Sequence, residues 1–429
     1  MKLPKTAYVL LWFPKPSETF IFREVVNLQR LGLPIEVFTL YGRLSRKLSS
    51  EMQAYRDVRR LGIPAIRRLP GDIAYWCRKK PALVRELFGT VPIRRWKTLE
   101  FGGENIFAFL CAFTLARMFE NENFDHIHAP WAMGPATAAW IASRLTGIPF
   151  SFTGRAGDIY PPDGALKEKM ENAVFVRTNN RKNLGYLAGF TTNSSKLKLT
   201  YNGLTMGSFR EAPVLMAPPC RILAAGRFVA IKGFDVLLRA AKRLDEEGLD
   251  FQLVIAGAGP RGPQLKMLAR TLGLKRRVSF PGFVSHDAIS DLFCSVDVFV
   301  APCVVHRTGD RDGIPNVIME ALIHRLPVVA TNVSAISEVI IDRKTGLLVP
   351  ARDPRALAEA VRKVLMDRDG SLAMAERGRS LVLDLFDPVK NAGKIIDLYS
   401  NAAGAKCGQQ PGSSAHQPVQ GNGATGSIP

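Results

Sequence analysis

The sequence predicts an α/β protein built from two Rossmann-like, doubly wound domains. Short runs of β-forming apolar residues alternate along the chain with segments of helical periodicity, which is typical of parallel sheets covered by helices. Residues 203–219, rich in glycine and proline, interrupt this alternation. The 429 residues also exceed what one hydrophobic core usually organises, so we expect two domains.

The strands of the first domain come before this interruption. Six runs have strand character: 6–13, 35–41, 126–129, 149–153, 173–178 and 197–202. We therefore assign residues 1–203 to an N-terminal domain and residues 204–219 to a linker.

The second domain repeats the pattern. Five further runs are predicted strands, most of them followed by a helical segment: 220–226, 251–257, 277–284, 296–302 and 327–333. We assign residues 220–385 to this C-terminal domain, 386–403 to a helix that crosses back to the first domain, and 404–429 to a disordered tail. Doubly wound domains bind ligands beyond the carboxyl ends of their strands, so the two domains should face each other across a cleft.

Cysteine usage and apolar runs bear on the compartment. The six cysteines show no C-x-x-C pair and no metal-ligand spacing, so a reducing cytoplasm suits them best. The apolar run Ala7–Phe13 lacks a full signal-peptide pattern and reads as a first strand. Residues 105–119 fall short of the roughly 20 residues that span a bilayer. We expect a buried helix there; the alternative is a helix that dips into a membrane.

The net charge of +20 is concentrated in one stretch. Residues 43–97 carry 15 Lys and Arg against four Asp and Glu, interleaved with aromatic residues. Such a stretch could lie on the anionic inner face of a membrane, and the alternative is a solvated basic helical face. A nucleic-acid partner is not expected, because helix-turn-helix, zinc-finger and RNP-type signatures are missing from the sequence.

Two cations follow the first strand of the second domain. Arg227 and Lys232 each stand beside a glycine where this strand gives way to a helix, a suitable place to bind a diphosphate. Each could instead be a solvated surface charge. The glycine-rich turn 256–260 either lines the same cleft or uses glycine for backbone geometry alone. Residues 281–284, which end at Val284, could present backbone N–H and C=O groups to the edge of a nucleobase.

The segment GDRDGIPNVIMEAL (309–322) places two acids eight positions apart. A helix that starts near Ile314 would point its first N–H groups into the cleft. Glu320 on this helix could then accept hydrogen bonds from a ribose, and Asp312 on the preceding turn could reach a sugar hydroxyl. The alternative is that Asp312 caps the helix and Glu320 is a partly buried acid with a local partner.

These motifs resemble the donor half of retaining GT-B glycosyltransferases of family 4. The resemblance is carried by Arg227-x4-Lys232-Gly and Asp312-Gly-x-Pro-x4-Glu320, together with 327–340 and 345–361. It implies that the two cations hold the diphosphate of a nucleotide-sugar, that Glu320 binds its ribose, and that Asp312 contacts the transferred sugar. Asp312 stands where most members have Glu. The remaining donor contacts implied for this half are Gly313, Ile314 and Val284.

The first half is similar to the exopolysaccharide branch of that family over 13–25, 126–140 and 149–162, so the resemblance covers about residues 6–402. Pro130 and Arg155 depart from the branch pattern, and Arg155 stands where a histidine is expected. Because a guanidinium stays protonated, it cannot act as a base. We expect it to bind donor phosphates or an anionic acceptor.

Two further residues of this half are site candidates. Asp158 is assigned to the acceptor side with the arginine, and His128 is the catalytic imidazole candidate. A structural role for His128 is the alternative. Ser17 or Thr19 could cap the first helix, whose start would face the phosphates.

The resemblance implies hexosyl transfer with retention from a nucleotide-sugar to a saccharide or lipid-linked acceptor, in exopolysaccharide or cell-surface polysaccharide synthesis. We expect front-face transfer without a cofactor or metal, because the D-x-D triplets 310–312 and 367–369 are joined by no further metal-ligating cluster. The alternative is a catalytically weakened GT-B protein that binds sugar nucleotide as a scaffold, given the departures at Pro130 and Arg155.

Overall fold

The structure is a computed structural model that describes residues 2–42, 48–93, 96, 98–204, 216–284 and 286–404. It contains two parallel sheets. The strands of the first sheet are β1 (Thr6–Leu10), β2 (Ile35–Thr39), β3 (Val58–Arg60), β4 (His126–Ala129), β5 (Phe150–Gly154), β6 (Phe175–Thr178) and β7 (Leu197–Leu199). The strands of the second sheet are β8 (Cys220–Ala225), β9 (Phe251–Ala256), β10 (Val278–Gly282), β11 (Val298–Ala301), β12 (Val328–Thr331) and β13 (Leu347–Val349).

Helices cover the sheets. Those of the first half are α1 (Thr19–Arg30), α2 (Ser50–Ala54), α3 (Gly62–Lys79), α4 (Pro81–Thr90), α5 (Leu99–Asn121), α6 (Gly134–Thr146), α7 (Leu166–Asn172) and α8 (Arg181–Ala188). Those of the second half are α9 (Phe234–Glu246), α10 (Gly262–Thr271), α11 (His286–Cys294), α12 (Asn316–Ile323), α13 (Pro354–Met366), α14 (Arg368–Leu385) and α15 (Pro388–Gly404).

Both sheets have the doubly wound order. The first runs β3-β2-β1-β4-β5-β6-β7 and the second β10-β9-β8-β11-β12-β13. In each sheet the strand order reverses beside the first strand, so β1 and β4, like β8 and β11, flank the point where such folds bind ligands. The predicted pair of Rossmann-like domains is confirmed.

The last helix returns to the first half. α15 packs against α1 and β4, and its Tyr399 is fully buried, with the ring centroid 5.2 Å from that of His128. This is the predicted crossover helix. Of the predicted tail at 404–429, residues 405–429 lie outside the described residues, as does 205–215 of the predicted linker.

α5 has the length and hydropathy of a helix that can cross a membrane, and 56% of its most apolar stretch is buried inside the protein. It packs against α3 and α6, and Phe109 and Phe113 belong to the core on that face of the first sheet. The expectation of a buried helix over 105–119 therefore matches its packing.

The differences from the predicted elements are small. β3 and β13 were not predicted, and each is a three-residue strand at the edge of its sheet. Neither Ser17 nor Thr19 caps α1: the N-cap position is Glu18, and no side chain makes a capping hydrogen bond there.

Candidate active site

The loop before α12 lies against the first half of the chain. The guanidinium of Arg311 is 4.1 Å from the centroid of the Tyr160 ring, which follows β5. A Cβ built on Gly313 would lie 3.0 Å from the amide nitrogen of Asn180, which follows β6. The carboxyl ends of strands from both sheets therefore meet at this loop, as expected for a cleft between two doubly wound domains.

Lys232 and Asp312 form an ion pair in this region. The Lys232 Nζ lies 2.9 Å from Asp312 Oδ2, and both side chains are mostly buried. Burial lowers the pKa of the Lys232 ammonium, but the charge of Asp312 outweighs this effect and the pKa stands above its ordinary value. The lysine is therefore a fixed cation beside the predicted sugar-contact acid.

Arg227 stands beside this pair. Its side chain is exposed, and it forms no ion pair with another described residue. Its charge is close enough to oppose protonation of Lys232. Burial and the charge of Asp312 raise the pKa of Asp310, and the charge of Arg227 offsets a part of this rise. Two cations thus lie at the end of β8, one held by an acid and one facing solvent.

Two glycine-containing turns pack next to these cations. Gly233, which precedes α9, has φ +64°, and a Cβ there would overlap the carbonyl oxygen of Pro302. Gly257 has φ +145°, and a Cβ there would overlap the carbonyl oxygen of Gly226. The turn 256–260 therefore needs glycine, because its backbone packs closely against the turn that carries Gly226 and Arg227, here called the Arg227 turn.

The charge of Arg23, in the first half of the chain, acts on the Glu320 carboxyl. Burial raises the pKa of the carboxyl, and the charge of Arg23 on α1 counteracts this rise. The N-cap of α12 is Pro315, with no side-chain cap, so Asp312 does not cap this helix. The alternative reading of Asp312 as a helix cap is thereby excluded.

Ile314 and Val284 are half-buried and pack at the edge of the second core. Their neighbour Phe283 is 70% exposed. The structure therefore places these two predicted donor contacts at the rim of the second half, near the carboxyl ends of its strands. Their role with a donor stays a prediction.

Asp158 joins two loops of the first half. Its carboxylate accepts hydrogen bonds from the Ala132 N–H (2.7 Å) and from the Arg155 N–H (2.8 Å). Burial raises its pKa to about 6. These contacts connect the loops after β4 and β5, so in this structure Asp158 positions loops and its carboxylate is not presented to an acceptor.

Arg155 is also held inside the protein. It is 3% exposed, donates from Nε to the Pro130 carbonyl (3.2 Å) and from Nη1 to Asn202 Oδ1 (2.6 Å). Its guanidinium lies 4.5 Å from the centroid of the Phe20 ring. The expected contact with phosphates or an anionic acceptor has no support in this geometry, because these partners already surround the guanidinium.

His128 lies behind the cleft, in the core of the first half. It is fully buried, with Nδ1 2.7 Å from Ser151 Oγ and Nε2 3.1 Å from Thr153 Oγ1. Burial and the charge of Arg177 lower its pKa well below the ordinary value, so the imidazole is neutral. The position corrects the expectation of a catalytic contact: both ring nitrogens are bonded to the sheet and the ring packs under α15.

Contacts between the halves were missed by sequence reasoning. Glu338 accepts hydrogen bonds from the Arg181 N–H (2.8 Å) and from the Tyr201 hydroxyl (2.7 Å). Arg23 lies within 13–25, a segment that the sequence did single out, and its charge could have suggested a cleft residue. Contacts such as the one at Glu338 depend on how the halves pack, which no local pattern reports.

Among the described residues, no group of three or more His, Cys, Asp or Glu side chains is arranged to hold a metal ion.

Comparison with known proteins places this geometry in a family. Residues 219–367 match the family described as glycosyl transferases group 1, and residues 17–194 match the family described as glycosyl transferase 4-like domain. The chain is 34% identical over 408 residues to WcaL of Escherichia coli K12, a glycosyltransferase assigned to colanic acid biosynthesis. This match covers 88% of the chain and 95% of that relative.

Two further proteins are similar to the chain. The amylovoran biosynthesis glycosyltransferase AmsK of Erwinia amylovora is 35% identical over 169 residues, which is 38% of the chain and 41% of that relative. The crystal structure of Alr3699/HepE of Anabaena in complex with UDP and glucose has a TM-score of 0.68 at 17% identity. It covers 92% of this chain and 100% of that one, and so shows that the fold is shared.

Proposed function

We propose, from the premise that the chain belongs to the group 1 glycosyltransferases and has their GT-B fold, that it moves a sugar from a nucleotide-sugar to a saccharide or lipid-linked acceptor. The observation that carries this proposal is the pair of cations at the end of β8, of which Lys232 is bound to Asp312. The acid and the cation lie together at the ligand-binding edge of the second sheet.

Each donor contact has a separate task. Arg227 and Lys232 bind the diphosphate, whose negative charge matches two fixed cations near a helix start. Glu320 accepts hydrogen bonds from the ribose hydroxyls. Asp312 accepts one from the transferred sugar, and the backbone at Gly313, Ile314 and Val284 borders the base and the sugar.

The transfer proceeds on one face of the sugar. The acceptor oxygen forms a bond to the anomeric carbon on the side from which the diphosphate leaves, and the carbon–oxygen bond to the phosphate breaks. The acceptor proton passes to an oxygen of the departing nucleoside diphosphate. Arg227 and Lys232 stabilise the charge that grows on the diphosphate, which is where electrostatic stabilisation lowers the barrier. The product keeps the configuration of the donor.

We include metal independence in the proposal because these two cations can carry the charge of the diphosphate. Transfer should therefore persist after treatment with EDTA. A loss of activity that returns with added Mg²⁺ or Mn²⁺ would contradict this part.

The relatives support an acceptor in polysaccharide assembly. WcaL and AmsK are named for colanic acid and amylovoran biosynthesis, and we propose the same class of pathway, exopolysaccharide or cell-surface polysaccharide synthesis, for this chain. The donor base and sugar are to be identified by a panel of UDP-, GDP- and ADP-sugars, read as thermal stabilisation, because a ligand that binds only the folded state raises the unfolding midpoint.

We also propose a peripheral position at the cytoplasmic face of a membrane. Apolar side chains are exposed along and after α4: Phe88 is 38%, Ile93 is 76% and Leu99 is 98% exposed. The exposed cation Arg85 lies on α4 as well. Exposed apolar groups beside cations suit an anionic bilayer surface, where a lipid-linked acceptor would be presented.

The test of the function is transfer with stereochemical analysis. Purified protein and the stabilising donor are incubated with saccharide acceptors, and the anomeric configuration of the product is read by NMR. We expect a product of retained configuration. Stabilisation by a donor with neither transfer nor hydrolysis would favour the scaffold alternative, and an inverted product would refute the mechanism.

A further inference from the structure

Three aromatic rings form a continuous stack in the first half. The rings of Trp12 and Tyr41 are 4.5 Å apart at 23°, and those of Tyr41 and Phe107 are 4.8 Å apart at 3°. We propose that this stack, here called the aromatic platform, binds a hexopyranose ring of the acceptor against the indole of Trp12. The inference rests on the proposed function, since it takes the acceptor to be a saccharide.

The platform lies at the ligand-binding edge of the first sheet. Trp12 comes two residues after β1, and Tyr41 comes two residues after β2. The Tyr41 N–H donates to the Leu11 carbonyl (3.0 Å), which holds the two strand exits side by side. Carboxyl ends of parallel strands are where such domains bind their ligands. The platform is therefore on the side of the sheet that faces the second half.

Packing does not account for the Trp12 side chain. Its indole is half-exposed and belongs to neither core cluster of the first half. Trp131, another half-exposed tryptophan, packs against a core cluster and donates its indole N–H to Glu18 (3.2 Å). The indole N–H of Trp12 and the hydroxyl of Tyr41 have no hydrogen-bond partner among the described residues.

Two charged groups lie near the platform. The Lys15 ammonium, which is paired with Glu18 at 2.5 Å, lies 5.9 Å from the Trp12 ring centroid. Burial raises the pKa of the Tyr41 hydroxyl, and the nearby Glu104 carboxylate raises it further. One oxygen of Glu104 accepts a hydrogen bond from the Gly134 N–H (2.8 Å). An aromatic face with a cation and a carboxylate nearby matches a sugar, whose C–H face is apolar and whose edge carries hydroxyls.

A nucleobase could stack on the same rings, so the donor has to be distinguished from the acceptor. The donor diphosphate is assigned to Arg227 and Lys232 in the second half, and its base to the rim near Val284. The platform belongs to the opposite half of the cleft. This arrangement leaves the platform to the acceptor, and it predicts that changes at Trp12 do not alter nucleotide binding.

The test uses methyl glycosides of glucose, galactose, mannose and fucose as probes, with saturation-transfer NMR on the full chain. We expect at least one probe to receive saturation at its ring C–H protons. Trp12→Leu keeps apolar bulk and removes the aromatic face, and should weaken that binding about tenfold. Trp12→Phe keeps an aromatic face, and should weaken it less than about threefold.

Two controls separate this inference from the proposed function. UDP and GDP binding, measured by calorimetry, should be the same in Trp12→Leu as in the unchanged chain. Lys232→Ala should weaken nucleotide binding and leave the methyl glycoside signal intact. The inference is overturned if no probe binds, if Trp12→Leu and the unchanged chain bind the probe equally, or if nucleotide binding is lost with Trp12.

Discussion

At the scale of single residues, the proposed donor binding depends on the ion pair between Lys232 and Asp312. The Asp312 carboxylate lies 2.9 Å from the Lys232 ammonium and neutralises its charge. A diphosphate has to compete with that carboxylate for the cation, and a transferred sugar would take up its free oxygens. Binding of the nucleotide and binding of the sugar can therefore be separated by a change at Asp312.

We predict that Asp312→Asn lowers kcat/KM for transfer about 100-fold, because it removes a charged contact to the transferred sugar. The same change should leave the affinity for the free nucleoside diphosphate equal or higher, since Lys232 loses its competing anion. Transfer is measured by steady-state kinetics and affinity by calorimetry. A parallel loss of both would contradict the assigned roles.

Asp158 gives the stability of the first half a predicted pH dependence. Burial raises its pKa from 3.8 to about 6, so the folded state holds the proton more tightly than the unfolded state does. Its contribution is present below the unfolded pKa and is lost as the pH rises through the folded pKa. We predict that the stability of the unchanged chain relative to Asp158→Asn rises by about 2 kcal/mol from pH 7 to pH 4.

The measurement is urea unfolding followed by tryptophan fluorescence, which reports on the first half because all five tryptophans lie there. A difference between the two proteins that does not change with pH, or that grows toward pH 7, would show that Asp158 is not a buried, proton-binding carboxyl.

The contacts of single residues also explain why two predicted site residues do not line the cleft. Arg155 was chosen because it stands where the family resemblance implies a histidine, and His128 because it is the remaining imidazole candidate of this half. Both lie at strand ends. A sequence does not say whether such a side chain points into the cleft or into the layer under it, since this depends on what packs against the sheet. Here Tyr399 of α15 packs against His128, and Phe20 and Asn202 lie against Arg155. These contacts come from distant parts of the chain.

At the scale of elements, two glycine-containing turns pack closely together at the proposed donor site. The backbones of the Arg227 turn and of the turn 256–260 are in direct contact. A side chain at Gly257 would overlap the carbonyl oxygen of Gly226 and prevent this contact. We predict that Gly257→Ala lowers the unfolding free energy by about 1–3 kcal/mol more than a control change, and weakens nucleotide binding at least about tenfold.

The control for this change is Gly273→Ala. Gly273 also has a positive φ, +75°, but a Cβ there would meet no atom within 4 Å. It therefore carries the backbone strain without the overlap. Unfolding in urea and calorimetric titration are the measurements. Equal behaviour of the two variants would show that the contact between the turns is unimportant.

Element prediction succeeded where the pattern is long. Every predicted strand run overlaps an observed strand. β3 and β13 are three residues long and were missed, whereas β7, of the same length, was found because it lies within the six-residue run 197–202. The segment 309–322 was interpreted correctly as a turn followed by a helix, because glycine and proline fix both.

At the scale of the whole molecule, the first half exposes apolar side chains beside a cation. Phe88, Ile93 and Leu99 are exposed on and after α4, which also carries the exposed Arg85. We predict that the protein co-sediments with vesicles that contain phosphatidylglycerol and not with vesicles of phosphatidylcholine alone, and that Leu99→Glu weakens this binding.

Leu99 is the first residue of α5, where an acidic side chain is compatible with the helix dipole, so this variant should fold normally. Met366→Glu is the matched control, since Met366 is 71% exposed on α13 of the other half. Equal binding of the two variants, or binding to neutral vesicles, would refute the membrane surface.

The arrangement of the two halves was predictable only in outline. Alternating strands and helices indicate two doubly wound domains, and the motifs around Lys232 and Glu320 indicate which edge binds the donor. The contacts that join the halves, such as Arg311 with Tyr160 and Glu338 with the start of α8, depend on surfaces that no periodicity encodes.

The central claim is that a diphosphate-linked sugar is held in one cleft by Lys232 and Glu320 together. Calorimetric titration of the stabilising nucleotide-sugar tests it most directly, with Lys232→Ala, Glu320→Ala and, as control, Lys242→Ala, a cation paired with Glu246 on α9. We predict at least about tenfold weaker binding for the first two and no change for the control. Unchanged affinity in both Lys232→Ala and Glu320→Ala would contradict the claim.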